Sequence, residues 1–408
     1  MAMFIRKLTL KNFLSFGPDS PPVALRALNV LIGANGSGKS NLIEAIGFLR
    51  AAPDLLVAPV RDGGGVRDWL WKGESNPTAS VEAVVDRDPL PRIRHSISFT
   101  TVAQRFELCD ERIENEQAAA GQTQPYFYYC YQDNHPVLNV RNVSPGGDGT
   151  GDKAAYLSAD RAKRFLKRED VDPEKSILAQ RKDPDSYPEI TDLAAFYTRI
   201  RIYREWSFGR YTPPRLPQKA DQRNDFLLEN CENLGLVLNR LRSVSEAKRA
   251  LIDGLRQLYE GVDDVDVAIQ GGTVQVLLQE GRFTIPATRL SDGTLRYLCL
   301  LAILCDPAPP PLICIEEPEL GLHPDALSAL GPLLIAASQR SQIAVTTHSR
   351  QLVDHLSQQP DSIVVCDKQN GSTIMHRLDA GTLKDWLEKY SLGDLWEKGE
   401  IGGVRWGG

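Results

Sequence analysis

Apolar and polar positions change period several times along the chain. Phe4–Leu10 alternate as a strand does, Leu28–Ile32 form a short apolar run, and Asn41–Arg50 repeat their apolar residues at helical spacing. The string "GANGSGKS" joins the second to the third, so the pattern predicts strand, loop and helix in direct succession. From about Ser80 to Val140, short β-rich runs such as "SVEAVV", "IRHSISFT" and "YFYYCY" alternate with turn residues and predict an antiparallel subdomain. "SPGGDGTGD" at 144–152 then interrupts the chain. From Tyr156 to about Tyr259 the pattern turns mostly helical, carried by "DRAKRFLKRED", "ITDLAAFYTRIRIYREW", "CENLGLVLNRLRSV" and "SEAKRALIDGLRQLYE" and divided by six prolines between 173 and 217. Strands return at Val265–Ile269, Thr273–Gln279 and Arg282–Ile285. An apolar helix at Leu295–Leu304, a strand at Leu312–Ile315, a helix near Asp325–Ala337 and a strand ending at Thr347 follow.

This order predicts an α/β P-loop NTPase in three segments. Residues 1–150 carry "GANGSGKS" and the β subdomain, 151–262 an inserted helical lobe, and 263–408 the remaining strands and helices. At 42% hydrophobic and 25% charged, the 408 residues can bury ordinary cores. No run of 18 or more apolar residues occurs, and "MAMFIRKLTLKNF" alternates where a signal peptide would be continuously apolar, so a cytoplasmic location without a membrane partner is expected. Seven cysteines without a CxxC pair argue against zinc or disulfide frameworks and for small buried hydrophobes. The formal net charge of -6 does not mark a nucleic-acid binder, although "RAKRFLKR" (161–168) places five basic residues in eight on an expected helix.

Four stretches carry chemistry. "GANGSGKS" satisfies G-x-x-x-x-G-K-[ST]: the main-chain N–H groups from Asn35, Gly36, Ser37 and Gly38 to Asn41 would curl around phosphates, Lys39 would reach the β and γ oxygens, and the Ser40 hydroxyl would hold Mg²⁺. In "PPPLICIEEPELGLHP" an apolar strand delivers Glu316 and Glu317 to its carboxyl edge, where ligands of parallel α/β sheets bind. One carboxylate there would hold the Mg²⁺ through water, and the other would orient and deprotonate an attacking water. "QIAVTTHS" repeats the form, and a neutral imidazole at His348 could donate to a γ-phosphate. A fourth stretch, "RLSDGTLRYLCLLAILCDP", opens an apolar helix on Ser291, Asp292, Gly293 and Thr294, residues suited to an anion at a helix N-terminus.

The order of these elements resembles the ATP-binding-cassette (ABC) ATPases, in particular the RecF, SMC and OLD-like branch, over roughly 1–60 and 265–368. By that resemblance the fold is an ABC-type ATPase head, "LSDGT" is the signature motif, and Ser291, Asp292 and Gly293 bind nucleotide. It also implies that Glu316 is the magnesium-side acid, Glu317 the base, "PELGLH" the D-loop and His348 the switch histidine, with ATP and Mg²⁺ as cofactors. Asp292 and Glu316 stand where transporter cassettes carry Gly and Asp, as is usual in the OLD-like branch. Gln104 is the candidate Q-loop glutamine. The segment "RLPQKADQRNDFLLENCENLGLVLNRL" and the tail "SLGDLWEKGEIGG" are similar to compact bacterial AAA-type ATPases of antiviral-defence and toxin-like gene pairs.

The resemblance implies that the signature helix cannot reach the nucleotide of its own phosphate loop, so an ATP-dependent homodimer, or a higher even-numbered assembly, is expected. The proline-broken middle segment excludes a long coiled-coil arm. About 60 residues follow His348, too few for an appended nuclease domain, so nuclease or toxin activity is expected in a separately encoded effector. The resulting expectation is an ATP-hydrolysing sensor or switch in prokaryotic antiviral defence. The alternative is a RecF-like DNA-repair ATPase whose ATP-gated partner is DNA.

Overall fold

The computed structural model describes residues 3–132, 135–141 and 161–403. They form two compact units, each discontinuous in sequence. The first comprises the chain up to Arg26, Asn35–Ile200 and Cys366–His376; the second comprises Ala27–Ala34, Arg201–Val365 and the chain from Arg377 onward. The boundaries cut across the three sequence segments, because strand pairing joins residues far apart in the chain. The 144–152 punctuation lies outside the described residues.

An eight-stranded antiparallel sheet dominates the first unit. Numbered along the chain, its strands are β1 (Phe4–Lys11), β2 (Val23–Ala24), β4 (Ala79–Arg87), β5 (Leu90–Val102), β6 (Arg105–Asn115), β7 (Phe127–Gln132), β8 (His135–Arg141) and β9 (Arg161–Phe165), in the order β2-β1-β4-β5-β6-β7-β8-β9. Alternation sets its faces, since Ile93, His95, Ile97 and Phe99 of β5 are all buried. The helix Lys39–Ala51 sets Phe48 5.2 Å from Phe99, with Phe13, Trp69 and Phe106 around it. Residues 161–165, expected to be helical, instead pair with β8 from Val137↔Phe165 to Arg141↔Arg161. Cross-strand pairing overrides a weak helical pattern at a sheet edge. Among the described residues between Arg161 and Ile200, helical structure is confined to Ile177–Gln180 and Pro188–Thr198, plus one 3₁₀ turn.

The second unit is built on parallel strands. β10 (Arg201–Tyr203), β15 (Leu312–Glu316), β16 (Gln342–Thr346), β3 (Leu28–Ile32) and the start of β17 (Ile363–Gln369) lie in that order, while β17 from Cys366 onward and β18 (Ser372–Arg377) up to His376 are counted with the first unit. β3 and β16 are buried at every position, and β15 at its first four, as continuous apolar runs require when both faces are covered. β10 corrects the expectation of one helix through "TRIRIYREW": the helix ends at Thr198 and Arg201–Tyr203 pair with Ile313–Ile315. A smaller sheet holds β12 (Asp264–Gln270), β13 (Thr273–Glu280) and β14 (Phe283–Pro286), which match the three returning strands of the sequence, and β11 (Gln218–Lys219), which lies in the segment expected to be mostly helical. The helices Leu234–Arg242, Ser245–Leu258, Asp292–Leu304 and Pro324–Ser338 share one apolar core with the parallel strands. Among the described residues no helix is long and apolar enough to cross a membrane. Six cysteines are buried, as expected, and Cys109 is exposed.

Candidate functional site

The phosphate loop leaves β3 and turns into the helix Lys39–Ala51. Gly33, Gly36 and Gly38 have φ of 148°, 77° and 101°, and Gly38 is the helix N-cap. A side chain at Gly38 is impossible without rearrangement, since a Cβ would lie 2.2 Å from Thr373 Oγ1. That buried threonine takes part in a short network. Its Oγ1 donates to the Ser37 carbonyl at 2.9 Å and lies 2.6 Å from Ser15 Oγ, which accepts from the Asn41 amide at 2.6 Å. The Asn41 side chain therefore braces the loop. Lys39 is 6% exposed, and its charge opposes the burial that pushes the Cys366 thiol well up. Asn35, Gly36 and Ser40 are exposed. The buried Ser37 hydroxyl has no hydrogen-bond partner, and a 13-residue helix begins beside it. This cradle fits a phosphate: main-chain donors, an ammonium and an unsatisfied hydroxyl converge where the helix dipole favours negative charge.

In the second unit, strand register brings the acidic residues and the histidine to one sheet edge. Glu316 is opposite Thr346, and Thr346 is opposite Leu31 of β3, whose carboxyl end feeds the phosphate loop. Glu316 lies 3.5 Å from Arg204 Nε, just past β10. Glu317 sits at φ 46°, a left-handed conformation that costs a non-glycine residue on the order of 1–3 kcal/mol and persists only where neighbours enforce it. Its N–H donates to the Thr346 carbonyl at 3.0 Å, and its carbonyl accepts from Arg296 Nη2 at 2.7 Å. The Trp206 indole N–H donates to the Glu316 carbonyl at 3.2 Å. His348 Nε2 is 3.8 Å from Glu317 Oε1, and both side chains are 38% exposed. Glu319 accepts from the Thr347 hydroxyl and the His348 N–H, each at 2.7 Å, so the third carboxylate of "EEPE" holds the histidine's backbone.

Ser291 caps the helix Asp292–Leu304, its hydroxyl accepting from the Thr294 N–H at 3.1 Å. Every residue from Leu295 to Leu304 is buried, which anchors the capped end rigidly. Asp292 pairs with Arg215, a nearly buried guanidinium that also donates to the carbonyls of Phe208, Ala287 and Leu290. The Asp292 carboxylate is thus engaged within its own chain, and what it offers an anion is its main-chain N–H. Gly293 is required by crowding: a Cβ there would lie 2.8 Å from the Gly321 carbonyl.

The C-terminal tail packs beside the histidine. The helix Leu392–Glu397 opens on a capping box of Ser391 and Asp394, and Arg350, two residues after His348, pairs with Asp394 and Glu397. Gln104 does not have the surroundings of a Q-loop residue. It is exposed and, with Ala103, has positive φ in the two-residue turn joining β5 to β6. Ser15, Thr373, Trp206, Arg215 and Arg296 were not recognised from sequence. Nothing near them in the chain signals a role, and their partners are up to 358 positions away.

The chain is similar to known proteins in sequence and in fold. Residues 28–354 match the family model described as "AAA domain, putative AbiEii toxin, Type IV TA system". The DNA replication and repair protein RecF of Nocardioides sp. is 36% identical over 115 residues, 24% of this chain and 26% of that protein. The Old nuclease of Escherichia phage P2 is 23% identical over 407 residues, 91% of this chain and 61% of the nuclease, so the chain spans less than two thirds of these relatives. Among solved structures, the Smc head bound to the C-terminal winged-helix domain of ScpA is similar over 93% of this chain and 99% of its own, at 14% identity and a TM-score of 0.58. That likeness speaks to fold alone. The family match covers most of the chain, and with the curated relatives it identifies the protein as a member of this AAA family, an ABC-type ATPase of the RecF, SMC and OLD branch.

Proposed function

We propose that the chain is a Mg²⁺-dependent ATPase that dimerises around ATP and switches a separately encoded effector, a nuclease or toxin, in prokaryotic antiviral defence. The observation that carries the hydrolytic part is the shared sheet edge: β3 runs into the phosphate loop, β15 ends at Glu316 with Glu317 next, and β16 ends at Thr346 with Thr347 and His348 next. In this reading the N–H groups of Asn35–Asn41 and the Lys39 ammonium bind the phosphates, and Ser40 with Glu316 holds Mg²⁺. The bound ion would neutralise charge on the phosphate oxygens. Glu317 Oε1 takes the proton of the attacking water, and His348 Nε2, on the same side, donates toward the γ-phosphate. Ser291 and the N–H groups of Asp292 and Gly293 close on the nucleotide of a second copy. Positioning and electrostatics do the work, as phosphoryl transfer demands.

The effector part is supported by the toxin-system description of the family and the long alignment with Old nuclease. The test is ATP turnover by the purified chain with and without EDTA, followed by co-purification with the product of the adjacent gene. Chelation should abolish turnover, and a stoichiometric complex should form. Turnover that survives EDTA overturns the metal assignment. Strong, salt-dependent DNA affinity of the chain alone, with no complex, moves the function to ATP-gated DNA repair, the reading favoured by the RecF similarity.

A further inference from the structure

We propose that Arg296 and Trp206 are positioning residues that hold the main chain of Glu316 and Glu317 and tie the aim of the proposed base to the signature helix. The inference rests on the hydrolytic reading above and adds residues that reading does not use. Arg296 lies on the helix Asp292–Leu304, one turn beyond the Ser291 cap, and is 8% exposed. Its guanidinium stacks 4.9 Å above the Trp206 ring while Nη2 donates to the Glu317 carbonyl at 2.7 Å. Trp206 in turn donates to the Glu316 carbonyl at 3.2 Å. The pair therefore grips both carbonyls of the acidic dipeptide.

That grip falls where the backbone needs it. Glu317 is left-handed at φ 46°, between an N–H held by Thr346 and the rigid ring of Pro318. Releasing its carbonyl would let the peptide relax toward ordinary φ and swing the carboxylate away from its place 3.8 Å from His348. A buried arginine among Leu295, Leu298 and Cys299 is costly unless paired, and the charges that support it are those of Glu319 and Glu317. An apolar residue would suit the helix better. The arginine instead links the helix whose N-terminus meets a partner's nucleotide to the base of its own chain.

The experiment compares Arg296→Gln, Arg296→Lys and Trp206→Phe, the last keeping an aromatic ring, though a smaller one, and losing the indole N–H. Steady-state ATP hydrolysis and thermal melting are measured for each. Arg296→Gln should lower kcat at least tenfold with KM for ATP within threefold, Trp206→Phe should lower kcat threefold or more, and Arg296→Lys should recover part of the loss. Values of kcat within twofold of wild type in both Arg296→Gln and Trp206→Phe overturn the proposal. So does a loss that follows melting temperature and is not relieved by lysine. If the wild-type chain hydrolyses no ATP, the hydrolytic reading fails by itself, and hydrogen exchange of the peptide spanning 312–323 decides the brace. At least tenfold faster exchange in Arg296→Gln supports it, and unchanged exchange overturns it.

Discussion

His348 Nε2 lies 3.8 Å from Glu317 Oε1, beyond hydrogen-bond reach, while the main chain of each residue is fixed independently, His348 by Glu319 and Glu317 by Thr346 and Arg296. The two residues follow different strands, and their side chains lie near each other without a hydrogen bond between them. Such an arrangement suits groups that act together on a third molecule.

Glu317→Gln keeps the shape and removes the proton acceptor. The variant is expected to bind ATP with near-normal affinity and hydrolyse it at least a hundredfold more slowly, about 3 kcal/mol in barrier. Single-turnover kinetics check this. Near-normal turnover would shift the base to another carboxylate, Glu316 first.

His348→Ala is expected to slow hydrolysis while leaving ADP affinity within twofold, because ADP lacks the γ-phosphate toward which the imidazole would donate. Calorimetric titration with ADP and with a non-hydrolysable ATP analogue separates the cases. Equal weakening of both ligands would reduce the histidine to a cap on the strand end.

Lys39→Ala should abolish turnover and change the melting temperature by no more than a few degrees. The ammonium is buried without serving an apolar core, so its removal leaves no large cavity in one. Hydrolysis at the wild-type rate by pure variant protein would remove the loop from the reaction.

Thr373→Val is nearly isosteric and deletes the hydroxyl that joins Ser37 to Ser15. A lost hydrogen bond of this kind is worth about 1 kcal/mol. ATP affinity is therefore expected to fall several-fold with kcat preserved, since the acidic edge is untouched. A selective loss of kcat would contradict a role confined to the phosphate loop.

Gly293→Trp tests the shared site. Any side chain at Gly293 meets the Gly321 carbonyl, so Gly293→Trp must shift that turn as well as obstruct the helix end; Glu317→Gln protein that dimerises with ATP should stop doing so when Gly293→Trp is added, with thermal melting to check that the fold survives. Mixing Lys39→Ala chains with Gly293→Trp chains gives heterodimers with one doubly damaged composite site and one intact. Recovered hydrolysis supports a site built from two copies, and its absence in verified heterodimers that still bind one ATP contradicts it.

Local chemistry made much of this protein legible in its sequence. The phosphate loop, the acidic strand end and the serine-capped apolar helix are contiguous strings whose periodicity and residue types carry their own physics, and the structure places them on the expected elements. Tertiary structure decided the rest. Arg161–Phe165 became an edge strand because β8 offered a partner, and Arg201–Tyr203 joined the parallel sheet although three residues are too few for a period to register. Asp292 became the partner of Arg215, Gln104 a turn residue, and Glu317 left-handed. Ser15 and Thr373 meet across 358 positions to shape the loop, and Arg296 reaches the acidic pair from a helix that reads only as apolar. Apart from the Gln104 turn, each rests on contact between separate segments, and the energy that selects it comes from packing and hydrogen bonding that exist only after the chain has folded.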